Sequence, residues 1–288
     1  MRIFDRLASG ESVLAGVKFE APSNVQASWR KLAHTATRLV ADEASQYQSQ
    51  SDQVWHVADG DFGVMRPAFD VMWIEWQTPR TILVDGKWYP RSQQQIASVV
   101  QQRDAETLMV TSLTSWRGAP IVILPFYAEI SHFDDLLRID CLGEFVHSEE
   151  ELLLHHNSRD EALAGLNSQL IPLYLTLGWL NCRNVSTQDH ATPRAVKAKR
   201  QRRGTFLGLD YKRIVLDEKT KNALTRNQAA ERTHQRLHIV RGHIKHYTAE
   251  RPLFGKLTGN YWWHQQMRGD ATLGRINHEY HVTSRGPR

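Results

Sequence analysis

Residues Arg232–Gly269 read RTHQRLHIVRGHIKHYTAERPLFGKLTGNYWWHQQMRG, a denser mixture of Arg, Lys, His, Tyr and Trp than any other part of the chain. Side chains of a β-strand alternate between two faces. A strand through His238–Tyr247 therefore puts Arg241, His243, Lys245 and Tyr247 on one face. His238, Val240, Gly242, Ile244 and His246 fall on the other. Val240 and Ile244 suit a core, whereas the first face suits an anion. A second strand is expected over Asn260–Arg268, with Trp262, His264, Gln266 and Arg268 sharing a face. Gly255 and Gly259 supply turn residues between the two. A hairpin of this kind would gather His243, Lys245, His264 and Arg268 on one surface, in a register that alternation alone does not fix.

Outward from this stretch, charge is distributed unevenly. From Arg194 to the end there are 21 Lys+Arg and 7 Asp+Glu, a net of +14; the preceding 193 residues carry 15 and 24, a net of −9. Such asymmetry points to a polyanion partner for the basic half, or to neutralisation of the two halves across an internal interface. The 288 residues suffice for one large domain or two ordinary ones. The longest apolar runs, such as Ile121–Phe126, are too short to cross a bilayer, and MRIFDRLASGE lacks the apolar core of a signal peptide. The expectation is a cytoplasmic protein without membrane contact. Cys141 and Cys182 lack any CxxC partner and read as reduced, buried thiols.

Taken in order, the chain reads as a helix over Asn24–Gln46, then strands over Gln53–Val57 and Phe69–Gln77. In the latter, FDVMWIEWQ is apolar on both faces, which marks a central strand. Glu75 within it is either a catalytic carboxylate or a strand-end partner of an Arg. Asp85-Gly86 marks a hairpin turn. Ser92–Arg103 reads as a short helix, and Thr107–Trp116, Pro120–Ser131 and Leu136–Val146 as an antiparallel meander. His132 with Asp134 and Asp135 reads as a polar turn. Arg159–Asn181 is a long apolar helix with a kink at Pro172. Pro193–Arg203, PRAVKAKRQRR, holds six basic residues and no acid, as a linker or a basic arm would. Strands over Tyr211–Leu216 and Arg275–Thr283 complete the reading. The expected organisation is α+β and mostly antiparallel. An acidic body (1–192) is joined by a basic linker (193–209) to a basic β-rich module (210–288).

Metal-independent RNA cleavage needs a base for the 2′-hydroxyl, an acid for the leaving oxygen and cations at the phosphate. His243 and His264 fit the acid/base pair. Arg241, Lys245 and Arg268 fit the phosphate-holding role, with Tyr247 as a further acid or donor. His238, Trp262 and Trp263 are candidate nucleic-acid contacts, the Trp rings by stacking on bases. Arg194, Lys197, Lys199, Arg200, Arg202 and Arg203 are candidate phosphate contacts. His234/His238 and His278/His281 are the nearest approaches to zinc spacing, and in strand-like sequence they do not converge, so no metal or cofactor is expected. No P-loop, GxGxxG, GxSxG or HExxH pattern occurs.

LNCRNV (Leu180–Val185), the basic run, LHIVRGHIKHY (Leu237–Tyr247) and LFGKLTGNYWWHQQMRG (Leu253–Gly269) follow one another in an order that resembles a diverse group of uncharacterised proteins from bacteriophages, prophages and actinobacteria. The resemblance covers about the last 110 residues. His238, Arg241, Gly242, His243 and Arg268 match the shared signature. It implies a phage or mobile-element setting and no particular chemistry. The functional expectation is a binder of RNA or single-stranded DNA, in sharper form a ribonuclease of toxin or defence type. The alternative is a non-enzymatic accessory or inhibitor protein whose acidic body binds a host or cognate protein.

Overall fold

A computed structural model describes residues 1–15, 19–50, 65–78, 81–84, 87–90, 93–104, 107–116, 119–131, 137–141, 159–203, 208–216, 236–240, 242–263, 266–268 and 270–275. The N-terminal part holds helix α1 (Ile3–Ala8), strands β1 (Val13–Ala15) and β2 (Phe19–Glu20), helix α2 (Ser23–Thr35), strand β3 (Thr37–Val40) and helix α3 (Asp42–Gln50). Strands β4 (Val71–Gln77), β5 (Thr81–Val84), β6 (Lys87–Pro90), β7 (Gln94–Gln102), β8 (Thr107–Trp116), β9 (Ile121–Ser131) and β10 (Leu137–Cys141) follow. Helix α4 (Arg159–Leu180), strand β11 (Val185–His190), helix α5 (Arg194–Arg202) and strand β12 (Tyr211–Leu216) lead to the C-terminal strands β13 (Arg236–Val240), β14 (His243–Tyr247), β15 (Gly259–Trp263), β16 (Gln266–Arg268) and β17 (Asp270–Arg275). Among the described residues no helix is long and apolar enough to cross a membrane.

The protein is α+β. Its large sheet has the order β11-β12-β3-β4-β7-β8-β9-β1-β2, with β10 also paired to β9. The run β4-β7-β8-β9-β10 is antiparallel throughout, the meander that short connections dictate. β3 runs parallel to both β4 and β12, and β1 parallel to β9. Alternation along β4 explains why VMWIEWQ is apolar on both sides. Met72, Ile74 and Trp76 face a core formed with α3 and α4, while Trp73 faces a second core formed with α1 and α2. Helices cover both faces of the sheet.

Several expectations are corrected. Within the helix expected over Ser92–Arg103, Gln94–Gln102 forms strand β7 instead. Ile96, Val99 and Val100 have helical spacing, but β7 lies between β4 and β8 and is buried on both faces, which erases alternation. The single helix expected over Asn24–Gln46 ends at Thr35. Thr37–Val40 instead pairs on both edges and sends Leu39 into one core and Val40 into the other. The pairing and two-sided burial outweigh local helix preference. Pro193–Arg203, expected as a linker or a basic arm, contains the helix α5. Tyr211–Leu216, expected in the C-terminal module, runs inside the large sheet between β3 and β11. Gln53–Val57, His132, Asp134, Asp135 and most of Arg275–Thr283 lie outside the described residues.

Glu75 is fully buried on the Trp73 face of β4, beneath α1. Its Oε1 accepts the Ile3 N–H at 2.9 Å; its Oε2 accepts the Phe4 N–H at 3.2 Å and the Trp73 indole N–H at 3.3 Å. The two backbone donors belong to the first turn of α1 and have no partner inside that helix. The carboxyl thus ties the N-terminal helix to the centre of the sheet. Burial pushes it up to about 7, against the pull of Arg2 and the three N–H donors. The folded value lies above the unfolded one, so the native state holds a proton that the unfolded chain releases. Glu75 therefore contributes stability that is complete below about pH 4.5 and is lost as pH rises to about 7, with a slope of at most about 1.4 kcal/mol per pH unit. Urea midpoints measured from pH 4 to 8 (roughly the window of the shift) should show this slope in the wild type and its removal in Glu75→Gln. The amide leaves one first-turn N–H without an acceptor, so the variant is also less stable overall by about 1–3 kcal/mol.

Candidate nucleic-acid interface

The C-terminal hairpin is fastened to the body by the segment that follows α4. Asn184 donates from Nδ2 to the Trp262 carbonyl at 2.9 Å and accepts the Trp262 N–H at its Oδ1, also at 2.9 Å. The Arg183 N–H donates to the Asn260 carbonyl at 2.9 Å. These bonds seat the Trp262 ring, fully buried, against Tyr47 and Trp179, with both ring centroids 5.3 Å away. Tyr47 and Trp179 also meet edge to face, at 6.0 Å, so the three rings form a closed triad of the kind aromatic quadrupoles favour. Gly242 lies against this triad. A Cβ there would stand 1.8 Å from the Tyr47 hydroxyl oxygen and 2.9 Å from Trp262 Cζ2.

Gly242 also marks where the expected long strand divides. β13 pairs antiparallel with β16, His238 opposite Arg268, and parallel with β17. β14 turns instead to β15, with His243 opposite Trp263, Ile244 opposite Trp262 and Lys245 opposite Tyr261. Directly opposed residues share a face. Trp262 therefore lies on the Ile244 face, inside the core, and not on the His243 face where the sequence reading placed it. It cannot stack on a base. The reason is energetic: burying a Trp with Ile244 fixes the register, because a slip by one residue would expose both.

His243, Lys245 and Tyr247 do share the outer face, together with Tyr261 and Trp263. Lys245 is exposed, and its Nζ lies 5.3 Å from the Tyr247 ring centroid, a cation–π contact. Tyr247 and Tyr261 meet edge to face at 5.9 Å, and burial raises the Tyr247 hydroxyl above its ordinary value. Trp263 is half-buried in the same small cluster, around Leu253 and Tyr261. On the other face His246 Nδ1 meets Asn260 Oδ1 at 2.7 Å. Arg183 is exposed and rests on Gly259, whose φ is +102°; a Cβ there would stand 2.8 Å from Arg183 Nε. Arg241 and His264 lie outside the described residues, as do the side chains of His238 and Arg268. Cys182 is buried and free, its thiol pushed up to about 12 by burial. Among the described residues no three His, Cys, Asp or Glu side chains are grouped as metal ligands would be.

The basic run forms α5, nine residues with none buried. An isolated helix this short is marginal in water, so its anchorage decides its orientation. Lys197 Nζ contacts the Asp210 carboxylate at 3.2 Å, and the same carboxylate accepts the Thr192 N–H at 3.1 Å just before the helix begins. These partners hold Asp210 below the usual carboxylate range. Arg200 lies over Gly208, whose added Cβ would stand 3.0 Å from Arg200 Nη1 and 3.7 Å from Asp5 Oδ1. Residues 197 and 200 are three apart and share one side of the helix, towards the body. Arg194, Lys199, Arg202 and the C-cap Arg203 occupy the remaining arc and are exposed. Between α5 and Arg183 runs β11, the edge strand of the large sheet, six residues or about 20 Å long.

Comparison with protein-family models, with curated proteins and with solved structures found no match. Three positions that hold the hairpin were not singled out from the sequence: Asn184, Tyr47 and Arg183. The adjacency of LNCRNV to the basic run was visible, but not that its Asn reaches Trp262, 78 residues away. Gly242→Ala should cost about 1–3 kcal/mol of unfolding free energy, read from denaturant titration, the usual penalty of overpacking. Adding Tyr47→Phe, which removes the atom that the new methyl strikes, should recover part of that loss in a double-mutant cycle.

Proposed function

We propose that this chain binds nucleic acid, in a phage or mobile-element setting, through the outer arc of α5 and the outer face of the β14–β15 hairpin. The observation that carries the reading is how the six cations of the basic run are divided. Two are engaged at the body beside Asp210 and Asp5; four are displayed on one arc with no acid among them. Lys199 and Arg203 repel each other at i,i+4, a cost that an anion lying along the arc removes. Phosphates are the natural counter-charge, and such binding proceeds by release of condensed counterions. Arg183 and Lys245 extend the positive surface towards the hairpin.

The prediction concerns salt. Affinity for a fluorescein-labelled RNA should fall linearly in log–log form with salt concentration. Replacing Arg194, Lys199 and Arg202 together with Ala should reduce that slope by about two to three, since each phosphate contact contributes about 0.7–0.9. Thermal stability should stay near wild type because these side chains are exposed. A slope unchanged in the triple variant would refute α5 as the contact.

Cleavage is the sharper form of the same reading. His243 shares the outer face with Lys245 and Tyr247, which puts an imidazole on the same face as a cation. Its acid partner in this scheme is His264. Labelled RNA incubated with the protein in EDTA should be cut, and His243→Ala should abolish the cutting while leaving the shift in a binding gel. RNA that stays intact with wild-type protein leaves a binding protein only.

A further inference from the structure

The loop between β14 and β15 ends in a tight tip. Leu253 and Leu257 exchange backbone hydrogen bonds, at 2.7 Å from the Leu253 N–H and 2.9 Å from the Leu257 N–H. The Leu253 carbonyl also accepts the Lys256 N–H at 3.2 Å, closing a turn whose central residues are Phe254 and Gly255. Both have positive φ, +52° and +71°. A turn with two such centres strongly favours Asn-Gly, since Asn and Gly tolerate the left-handed region. Here a Phe occupies the first centre. For a bulky residue this conformation is an outlier, and it persists only where the surroundings enforce it.

The enforcement is visible. Leu253 is buried against Tyr261, beside Tyr247 and Trp263, and so pins the base of the turn to the hairpin. The strained residue is nonetheless not taken into the core: Phe254 is 45% exposed, with Leu257 at 42%. Arg251 and Lys256 flank it, both exposed, and the nearest acid in the loop is Glu250. An exposed aromatic ring in a loop that also carries two exposed cations, on a backbone conformation its side chain disfavours, suits a planar, anionic partner. An unpaired nucleotide has both properties: a base with a π face and phosphates on either side.

We propose that Phe254 stacks on an unpaired base of single-stranded nucleic acid, with Arg251 and Lys256 on the adjoining phosphates. The inference rests on the nucleic-acid reading and assigns the stacking role that the buried Trp262 cannot fill. It also selects single strands over duplex, whose bases are already stacked.

The test uses the full chain and Phe254→Asn, which removes the ring and gives the turn its preferred Asn-Gly pair. Melting temperature should stay equal or rise. Affinity for a labelled 20-nucleotide oligouridine should fall about tenfold or more, the scale of losing one stacked base, while Phe254→Trp should retain it. Affinity for a duplex of the same length should be unchanged. If Phe254→Asn binds oligouridine as wild type does, while the Arg194/Lys199/Arg202 variant does not, the stacking role is wrong and the nucleic-acid reading stands. If wild type binds no oligonucleotide even at low salt, both fall. If Phe254→Asn loses binding to phosphatidylserine vesicles but not to oligouridine, the tip is a membrane contact and the inference is overturned.

Discussion

The burial of Trp262 governs how the C-terminal chemistry is presented. Its ring completes a triad with Tyr47 and Trp179, and its backbone is matched on both sides by the Asn184 amide. A strand has only two faces, so committing Trp262 to the core commits Ile244 with it and turns His243, Lys245 and Tyr247 outward. Gly242 serves the same packing: no side chain fits between Tyr47 and Trp262. Two segments far apart in sequence, around Asn184 and around Gly242, thus prove to be parts of one joint.

A second constraint acts on the charges. The basic run cannot bury a side of its helix, because it has almost no apolar surface to offer. Its anchorage is electrostatic, through Lys197 and Arg200 to the Asp210 and Asp5 region. Asp5 in turn accepts the Leu209 N–H at 2.8 Å, so α1, α5 and the start of β12 meet at one point. Because α1 is itself held by Glu75, the buried carboxyl group in the middle of the sheet indirectly supports the placement of the basic helix.

The antiparallel meander was legible because β8 and β9 alternate or run apolar between clear breaks, and because short connections leave few topologies. β7 and β3 were not, for one reason. Ile96-Ala97-Ser98-Val99-Val100 is buried on both faces, and the adjacent Leu39 and Val40 of β3 enter opposite cores, so a pattern read for alternation loses its signal. At the hairpin, the shared face of His243, Lys245 and Tyr247 was readable, but the division of the strand at Gly242, the inward face of Trp262 and the pairing of His243 with Trp263 were not, since register depends on what lies beneath. Phe254 escaped notice because a Leu-Phe-Gly-Lys string carries no sign of strain until its backbone angles are known.

By itself the sequence determined the residue chemistry and its coarse placement: an α+β chain with an acidic front, a basic rear, and a His, Lys and Tyr face on one strand. Those follow from composition and from a period of two, which are local properties. Only the tertiary structure decided which aromatics are buried, which cations are displayed and which turn is strained. Each of those depends on contacts between residues tens of positions apart, such as Asn184 with Trp262 and Glu75 with Ile3, which no local pattern encodes.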